Sequence, residues 1–315
     1  MTYLAIDVGH GYTKTLSDTN RTIFPSLIAP SPAMLELGDQ DRPPVTQIDD
    51  TDYLVGNAAR LYAVPRWSRD KASDPETLAM MLVAAADHGA AGPVHLATGL
   101  PLSWYGPGRE KFQRALEGFG GTVTLPNGTQ HRLWFESVLV LPQGVAAAST
   151  LFLRPEYAPG DYLIIDIGYR TTDFIIVTKT PTGRIVFHPD LADSTELGTH
   201  AVNAWVASQL KKQYTIPFQP AEVEDRKHIH VRGQLVDLMP YRETAIQHLQ
   251  SQLRDRIIEK LDQSWDKLAG KILVGGGALL YAEAFPDAGI PQNPQWANAQ
   301  AYLSTLKAQL AIKSS

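Results

Sequence analysis

LAIDVGHGYTKTL (residues 4–16) and LIIDIGYRTTDFI (residues 163–175) align without a gap. The identical positions are Ile6, Asp7, Gly9 and Thr13 in the first segment and Ile165, Asp166, Gly168 and Thr172 in the second. The offset is 166 − 7 = 159 residues, about half of the 315-residue chain. Each segment has an apolar run that ends in an aspartate, then a glycine-containing turn and a second apolar run. This pattern predicts a β-hairpin.

The similarity between the two segments has two interpretations. The first interpretation is that the two hairpins are unrelated and similar by chance, because a single I-D-x-G pattern is a weak signal. Two copies half a chain apart, each with a threonine four residues after the glycine, favour internal duplication. Glycine lets a ligand approach the main chain closely, so the turns are predicted to present N–H groups to anionic oxygens. Aspartates beside phosphate would be repelled, and a Mg²⁺ ion between them is therefore predicted as well.

Composition limits the function without specifying the chemistry. With 44% hydrophobic and 19% charged residues, the chain is typical of a globular protein, and its length suits two domains. The net charge of −5 argues against direct DNA binding, which requires a basic surplus. Cysteine is absent, which excludes disulfides and thiolate chemistry. We found neither an apolar stretch long enough to span a membrane nor a leader peptide, so we expect a cytoplasmic protein.

Strands and helices alternate along the rest of the chain, which predicts an α/β fold. Residues 17–75 are rich in proline and aspartate and predict a small irregular subdomain. The other predicted elements are helices at 75–91, 109–119, 143–152, 199–212, 243–268 and 298–312, a strand at 93–105 that runs into a Gly-x-Pro turn, a hairpin around residues 127–128, strands at 137–141 and 184–187, and a strand at 271–274 that leads through a glycine triplet into a helix.

Three of these segments have competing interpretations. His228 and His230 would share one face of a strand and could bind a metal, but a solvated loop or exposed strand is favoured, because no other ligands cluster nearby. The glycine triplet Gly275–Gly277 either lets a ligand pass over a helix N-terminus or makes a tight β–α turn. The terminal helix is predicted to dock on the first domain, since its polar face has too few cations for a membrane-surface helix.

The order of these motifs resembles the actin, Hsp70 and sugar-kinase superfamily. LAIDVGHGYTK and LIIDIGYRTTDF resemble its two phosphate motifs, LPQGVAAAS (141–149) and PQWANAQAYL (294–303) its connecting motifs, and LVGGGALLY (273–281) its adenosine motif. ATGLPLSWY (97–105), LVLPQGVAA (139–147) and DSTELG (193–198) further resemble the ParM/StbA plasmid-segregation actins. The resemblance implies an actin-like, duplicated RNase H-like α/β fold, with two domains around a nucleotide cleft. Domain I would comprise residues 1–147 plus 297–315, and domain II residues 148–296.

The resemblance also assigns roles to individual residues around bound ATP or GTP. Asp7 and Asp166 would hold Mg²⁺ through its waters, and Asp166 would help to orient the attacking water. Gln143, where many ParM-like proteins have glutamate, would position that water. The phosphates would contact Lys14 and the two turns, and the glycines would shape the base and ribose pocket. The complete nucleotide set is Gly9, His10, Gly11, Lys14, Gly168, Tyr169, Arg170, Thr171, Gly198, Gly275, Gly276 and Gly277, with Glu196 as a weaker candidate.

Several of these residues also have non-functional interpretations. Lys14 could be a plain surface lysine, and Gln143 could cap its helix. The side chain of Arg170 could contact phosphate or point to solvent. Asp173 is interpreted as a structural strand residue.

The resemblance implies an actin-like nucleoside triphosphatase that polymerises with ATP or GTP. Its partners would be further copies of itself and an adaptor protein bound to centromere-like DNA. We expect no direct DNA binding and no membrane partner. A non-polymerising small-molecule kinase of the same superfamily is the alternative. Fold resemblance alone does not determine function.

Overall fold

A computed structural model of the protein describes residues 1–31, 43–63, 70–154 and 156–314. The chain forms two compact units: unit 1 comprises residues 1–150 and 298–315, and unit 2 comprises residues 151–297. Within the described ranges, none of the helices combines the length and apolar character needed to cross a membrane.

A nine-stranded mixed sheet forms the centre of unit 1, in the order β3-β2-β1-β7-β9-β8-β5-β6-β4. β1, β7 and β9 are parallel to one another, and the other pairings are antiparallel. Five consecutive residues of β1 are buried, as expected for a central strand covered on both faces. The strands are β1 Thr2–Val8, β2 Tyr12–Leu16, β3 Arg21–Pro25, β4 Ile28–Pro30, β5 Val45–Ile48, β6 Thr51–Val55, β7 Gly92–Leu100, β8 Gly120–Thr124 and β9 Gln130–Pro142.

Two predictions about these strands were wrong. β3 to β6 belong to the large sheet, whereas an irregular subdomain was predicted for residues 17–75. Parts of that range, residues 32–42 and 64–69, lie outside the described residues. The two strands predicted on either side of residue 136 are one continuous strand, β9. It bulges at Glu136, because Val94 pairs with Phe135 while His95 pairs with Ser137.

Three helices accompany the strands of unit 1: α1 Pro75–Asp87, α2 Leu102–Leu116 and α3 Val145–Leu151. α1 starts at a proline as predicted, but it ends before residue 91, since Gly89 adopts a positive φ of 84°. α2 begins seven residues earlier than predicted. The Pro101 carbonyl accepts hydrogen bonds from the N–H groups of Trp104 and Tyr105, and the helix continues through Pro107. The strand predicted for residues 93–105 therefore ends at Leu100, and its last residues, 102–105, are helical.

Unit 2 contains a four-stranded sheet in the order β12-β11-β10-β15 and a separate hairpin of β13 and β14. β10–β11 and β11–β12 are antiparallel, while β10–β15 is parallel. The segment β3-β2-β1-β7 of unit 1 has the same order and directions. The strands are β10 Gly160–Ile167, β11 Thr172–Lys179, β12 Ile185–Thr195, β13 His228–Val231, β14 Gln234–Asp237 and β15 Gly270–Val274. The duplication thus extends beyond the hairpin to four strands.

The helices of unit 2 are α4 His200–Tyr214, α5 Pro220–Val223 and α6 Met239–Leu261. α6 begins earlier than predicted, with Pro240 in its first turn. It also ends earlier, because Asp262 takes a positive φ of 45° and starts a 3-10 segment. Leu249, Leu253 and Ile257 of α6 are buried in the core of unit 2, as the helical spacing predicted.

His228 and His230 lie on β13, where both side chains are exposed and the alternate residues Ile229 and Val231 are buried. The favoured interpretation, an exposed strand, is confirmed. Among the described residues, no group of three or more histidine, aspartate or glutamate side chains is arranged to hold a metal ion.

The last helix, α7 Ala297–Ser314, packs on unit 1 through Tyr302, Leu303 and Leu306, which are buried. A side chain placed on Gly99 of β7 would collide with the Tyr302 hydroxyl, 1.9 Å from the new Cβ. Lys307 forms an ion pair with Asp18. These contacts attach the C-terminal helix to the sheet that carries the first hairpin.

Candidate functional site

The two hairpins share one strand register. In the first, Asp7 of β1 lies opposite Lys14 of β2. In the second, Asp166 of β10 lies opposite Asp173 of β11. Adding the repeat offset of 159 to residues 7 and 14 gives residues 166 and 173. The repeat seen in the sequence is therefore a repeat of the backbone as well.

The same hydrogen bond closes both turns. The N–H of Gly9 donates to the Tyr12 carbonyl at 3.1 Å, and the N–H of Gly168 donates to the Thr171 carbonyl at 2.9 Å. A Cβ on either glycine would lie 3.0 Å from that same oxygen. Both glycines are thus needed by the turn itself. Their own N–H groups close the turn, which differs from the predicted contact of these two amides with phosphate.

Two predicted residues, Lys14 and Gln143, contact the carboxylate of a third, Asp7. Asp7 is buried, with an exposed fraction of 4%. Its Oδ2 accepts a hydrogen bond from Lys14 Nζ at 3.2 Å, and its Oδ1 accepts one from Gln143 Nε2 at 3.0 Å. Lys14 is therefore an ion-pair partner within this cluster and not a plain surface lysine.

Gln143 approaches the first hairpin from a distant part of the chain. Its main-chain N–H donates to the Leu100 carbonyl at 2.9 Å, which places the residue at the end of β7 and β9. A carboxylate only accepts hydrogen bonds, so the amide must turn its NH₂ group toward Asp7. The amide oxygen then points elsewhere and can accept a hydrogen bond from a water molecule. The side chain contacts Asp7, so the interpretation of Gln143 as a helix cap is wrong.

The remaining predicted residues of the first turn have protein contacts. The ring of His10 packs edge-on against Trp104, with 5.8 Å between centroids. The Gly11 carbonyl accepts a hydrogen bond from the Ser26 N–H at 2.9 Å. Thr13 is fully buried and its hydroxyl lies 2.8 Å from the Ser26 hydroxyl. Residues just after β3 therefore hold this turn in place.

The second turn is held by the residues that begin α4. Three consecutive N–H groups donate to three consecutive carbonyls of the turn: Gly198 to Arg170 at 3.0 Å, Thr199 to Gly168 at 3.1 Å and His200 to Tyr169 at 2.7 Å. In a trans peptide the carbonyl and the following N–H point in opposite directions. The N–H groups of residues 169–171 therefore point away from α4. Successive N–H groups on one side of a turn form a concave anion-binding surface.

The side chains of this turn interact with unit 2 residues. Arg170 forms an ion pair with Glu196 at 2.8 Å, and the predicted contact of its side chain with phosphate or solvent stays a prediction. The Tyr169 hydroxyl donates to Glu224 at 3.1 Å and lies 3.2 Å from Nδ1 of His200. Burial, and secondarily the charge of Arg170, lowers the pKa of His200, which favours its neutral form.

Asp166 and Asp173 form a buried pair of carboxyl groups. Each has an exposed fraction of 7%. Burial and the neighbouring charge of Asp166 raise the pKa of Asp173 from 3.8 to about 7. Oδ1 of Asp173 is buried and has no hydrogen-bond donor among the residues that the structure describes. Asp173 is a buried strand residue whose pKa depends on the charge of Asp166, and its structural interpretation stays a prediction.

A divalent cation fits this carboxyl pair better than it fits Asp7. Mg²⁺ needs one or two carboxylates and takes waters and phosphate oxygens as its other ligands. A cation near Asp166 would relieve the repulsion with Asp173. Asp7, by contrast, is already neutralised by Lys14 at 3.2 Å. Asp166 is accordingly the stronger of the two predicted metal ligands.

The glycines near the second hairpin differ in what they contact. A Cβ on Gly198 would lie 2.5 Å from the Tyr169 carbonyl oxygen, and a Cβ on Gly275 would lie 2.5 Å from the carboxylate Oδ1 of Asp166. A Cβ on Gly277 would lie 2.4 Å from Cγ2 of Ile167. These three glycines permit close packing around the second turn.

Gly276 is the exception within the glycine triplet, since a Cβ there would meet nothing within 4 Å. It is therefore the glycine of the triplet that has room for a ligand. The predicted helix after the triplet is wrong, because residues 276–281 form turns and lead into a 3-10 segment, Ala282–Ala284. The N–H of Gly277 donates to the Ile167 carbonyl at 2.8 Å, so the neighbouring strand holds this backbone.

Two residues near the first hairpin were not predicted. Lys71 is buried before α1 and donates a hydrogen bond from Nζ to the Val8 carbonyl at 2.6 Å. Asn298 at the start of α7 accepts a hydrogen bond from the Gly144 N–H at 2.8 Å, next to Gln143. Lys71 lies in no repeat or periodic pattern, whereas Asn298 lies in the predicted connecting motif at residues 294–303, where no role was assigned to it.

Comparisons with known proteins match both halves of the chain. The family model "Actin like proteins N terminal domain" matches residues 5–145, and "Archaeal actin homologue MreB-like, C-terminal" matches residues 164–287. An archaeal actin homolog of Thermoplasma volcanium is 28% identical over 325 residues, covering 96% of this chain and 98% of its own. Its counterpart in Thermoplasma acidophilum is 27% identical with the same coverage.

Solved structures agree with these sequence matches. A 15-stranded ParM filament from Clostridium botulinum has a TM-score of 0.82 at 19% identity, covering 98% of this chain and all of its own. An archaeal actin homolog in complex with ADP has a TM-score of 0.78 at 25% identity with the same coverage. Bacillus thuringiensis ParM with ATP has a TM-score of 0.70 at 17% identity, covering 99% of each chain.

These matches confirm the predicted fold and the resemblance on which the prediction was based. The predicted motif order extends over both family models, and the duplicated hairpin lies in both halves. The two models together match residues 5–145 and 164–287, so the chain belongs to the actin-like proteins; it resembles the archaeal actin homologues in sequence and the ParM proteins in fold.

Proposed function

We propose that this protein binds a Mg²⁺–nucleoside triphosphate at the turns of its two hairpins and hydrolyses it slowly. One observation carries the proposal: the two turns are geometrically equivalent, and each has a buried aspartate two residues before its glycine. At the second turn three successive N–H groups point to the same side. Such donors suit phosphate oxygens.

The relatives support the nucleotide as the ligand. An archaeal actin homolog of similar fold was solved with ADP, and a ParM protein of similar fold with ATP. We extend this ligand class to the present chain, with ATP and GTP as the two candidates.

Phosphoryl transfer depends mainly on positioning and charge stabilisation, and the proposed roles follow from that requirement. Lys14 binds phosphate oxygens, and Gln143 orients the attacking water through its amide oxygen. Asp166, together with Asp7, holds Mg²⁺ through its waters. The ion would neutralise charge on the phosphates. Gly276 lies against the base or ribose, while Gly198, Gly275 and Gly277 shape the surrounding backbone.

We further propose that nucleotide binding drives assembly of the protein into filaments. A subunit whose front fits its own back forms open helical polymers. A ParM relative of the same fold forms a 15-stranded filament. By the same analogy the filaments would move plasmid DNA through an adaptor protein bound to a centromere-like site.

The first experiment tests hydrolysis. Phosphate release is measured with ATP and with GTP for the wild type, for Asp166→Ala and for the exposed control Asp266→Ala. We expect turnover in the wild type and the control, and a loss of at least about 100-fold in Asp166→Ala, because one site ligand is missing. Thermal unfolding checks that the variant is folded. Full activity in a folded Asp166→Ala variant would refute the assignment.

The second experiment tests assembly. Light scattering and pelleting are followed over a protein concentration series with ATP, GTP, non-hydrolysable analogues and no nucleotide. We expect assembly above a critical concentration that requires a triphosphate. If the protein hydrolyses nucleotide but stays monomeric at every concentration, the filament proposal is wrong. That outcome would not contradict the proposed nucleotide site.

A further inference from the structure

Lys71 is a buried lysine beside the first hairpin turn. Its exposed fraction is 7%. Its Nζ donates to the Val8 carbonyl at 2.6 Å, and Val8 is the last residue of β1, immediately before the turn. The side chain thus reaches from the segment before α1 to the start of the phosphate-binding turn proposed above.

The environment of Lys71 does not compensate its charge. An ammonium group has three N–H donors, and in the described part of the chain Lys71 uses one of them, on a neutral carbonyl. A buried charge needs a partner of opposite sign. Asp7, the carboxylate with the largest electrostatic effect on Lys71, already accepts hydrogen bonds from Lys14 and Gln143. Asp74 has a smaller effect and accepts a hydrogen bond from Thr77 at 2.6 Å.

Desolvation by burial lowers the pKa of Lys71, and the charge of Lys14 lowers it further. Two ammonium groups therefore compete for one buried carboxylate at this turn. A multiply charged anion placed there would stabilise both of them.

We propose that Lys71 is a phosphate-binding residue that, together with Lys14, contacts the terminal phosphates of the bound nucleotide. This inference rests on the proposed nucleotide site. It assigns to the first turn a second cation from outside the hairpin, contributed by the segment before α1. The competing role is purely structural: a tether that holds the turn through the Val8 carbonyl.

Ligands that differ in their number of phosphates separate these two roles. Binding of ATP, ADP and adenosine is measured by calorimetry with Mg²⁺ for the wild type, Lys71→Met, Lys71→Arg and the control Lys111→Met. Lys111 is an exposed lysine of the same unit that pairs with Asp70. We expect Lys71→Met to weaken ATP binding by about 10- to 100-fold, because one charge-assisted hydrogen bond is lost. The effect on ADP binding should be smaller, and adenosine binding should not change. Lys71→Arg should retain part of the affinity, and Lys111→Met should match the wild type.

A tether would give a different result. Equal losses for all three ligands in Lys71→Met, or unchanged ATP affinity in the folded variant, overturn the proposal. If the wild type binds none of the ligands, the nucleotide site itself fails, which is a separate outcome.

A second measurement uses the wild type and does not depend on the folding of a variant. An acyl-phosphate derivative of ATP transfers its acyl group to a lysine amine next to the phosphates, with the nucleotide as leaving group. Mass spectrometry then locates the modified lysines. We expect modification of Lys71 that excess ATP prevents, and none at Lys111. Labelling that leaves Lys71 unmodified overturns the proposal.

Discussion

Asp173 occupies in the second hairpin the position that Lys14 occupies in the first. Both lie directly across the strand pair from the key aspartate, Lys14 opposite Asp7 and Asp173 opposite Asp166. The same backbone therefore carries opposite charges at equivalent places. The first hairpin pairs its carboxylate internally, while the second holds two carboxyl groups that repel each other. This difference suits phosphate oxygens at the first turn and a cation at the second.

We expect Asp173→Asn to stabilise the ligand-free protein above pH 7. Because the folded-state pKa is raised from 3.8 to about 7, the folded protein retains a proton that the unfolded chain releases. Stability of the wild type therefore falls as pH rises from about 4 to about 7. The full effect is at most about 4 kcal/mol, from about 3 pKa units at 1.36 kcal/mol each. Denaturant unfolding from pH 4 to 8 measures it.

The control for this prediction is Asp266→Asn, an exposed aspartate of the same unit. It should keep the pH dependence of the wild type, whereas Asp173→Asn should flatten it. An Asp173→Asn variant with the same slope as the wild type would show that Asp173 ionises normally.

Gln143→Leu should separate binding from hydrolysis. The leucine keeps the approximate volume but loses both the hydrogen bond to Asp7 and the acceptor for water. Since positioning of the water affects mainly the chemical step, we expect turnover to fall by about 10- to 100-fold. Nucleotide affinity should change by less than about threefold. Single-turnover hydrolysis and equilibrium binding measure the two quantities, and a loss confined to binding would contradict the assigned role.

At the scale of elements, the glycine triplet after β15 combines packing and candidate ligand contact within three residues. Gly275 and Gly277 touch the last residues of β10, and Gly276 faces open space. The first and last glycines of the triplet are therefore required for packing, and the middle one is accessible to a ligand. The sequence pattern GGG does not distinguish them, because the three residues have the same local preferences.

Alanine substitutions at this triplet should have opposite effects on stability and binding. Gly277→Ala forces a contact of 2.4 Å with Ile167 and should destabilise unit 2 by about 1–3 kcal/mol. Gly276→Ala should leave thermal stability nearly unchanged and weaken nucleotide binding instead. Thermal unfolding and nucleotide binding of the two variants form the comparison. Equal destabilisation by both would mean that Gly276 is packed as tightly as its neighbour.

At the scale of the whole molecule, the duplicated part comprises four strands in each unit. β3-β2-β1-β7 and β12-β11-β10-β15 have the same order and directions. Each hairpin thus contributes residues to the hydrophobic core of its own unit. The sheet of unit 1 contains five further strands. Because the same arrangement of four strands surrounds each turn, the two turns keep the same geometry although few of their residues are identical.

Net charge leads to a prediction for the whole chain. At a net charge of −5 the protein lacks the basic surplus that neutralises DNA phosphates. We expect its dissociation constant for duplex DNA to exceed about 10⁻⁴ M at physiological salt, the weak end of non-specific binding. Fluorescence anisotropy with labelled duplex tests this. Tighter, strongly salt-dependent binding would show that the protein contacts DNA without an adaptor.

The amino-acid sequence alone determined the two hairpins, their strand-turn-strand form and the actin-like fold class. Those features depend on local periodicity, on glycine at a tight turn and on a repeat that can be read along the chain. The tertiary structure decided which residues surround the carboxylates. Gln143 meets Asp7 across 136 residues and Lys71 meets Val8 across 63. The motif resemblance predicted Gln143 in the site, whereas no pattern in the sequence indicated Lys71. The tertiary structure also decided that β3 to β6 join a sheet, because the pairing of short polar strands depends on partners distant in the chain.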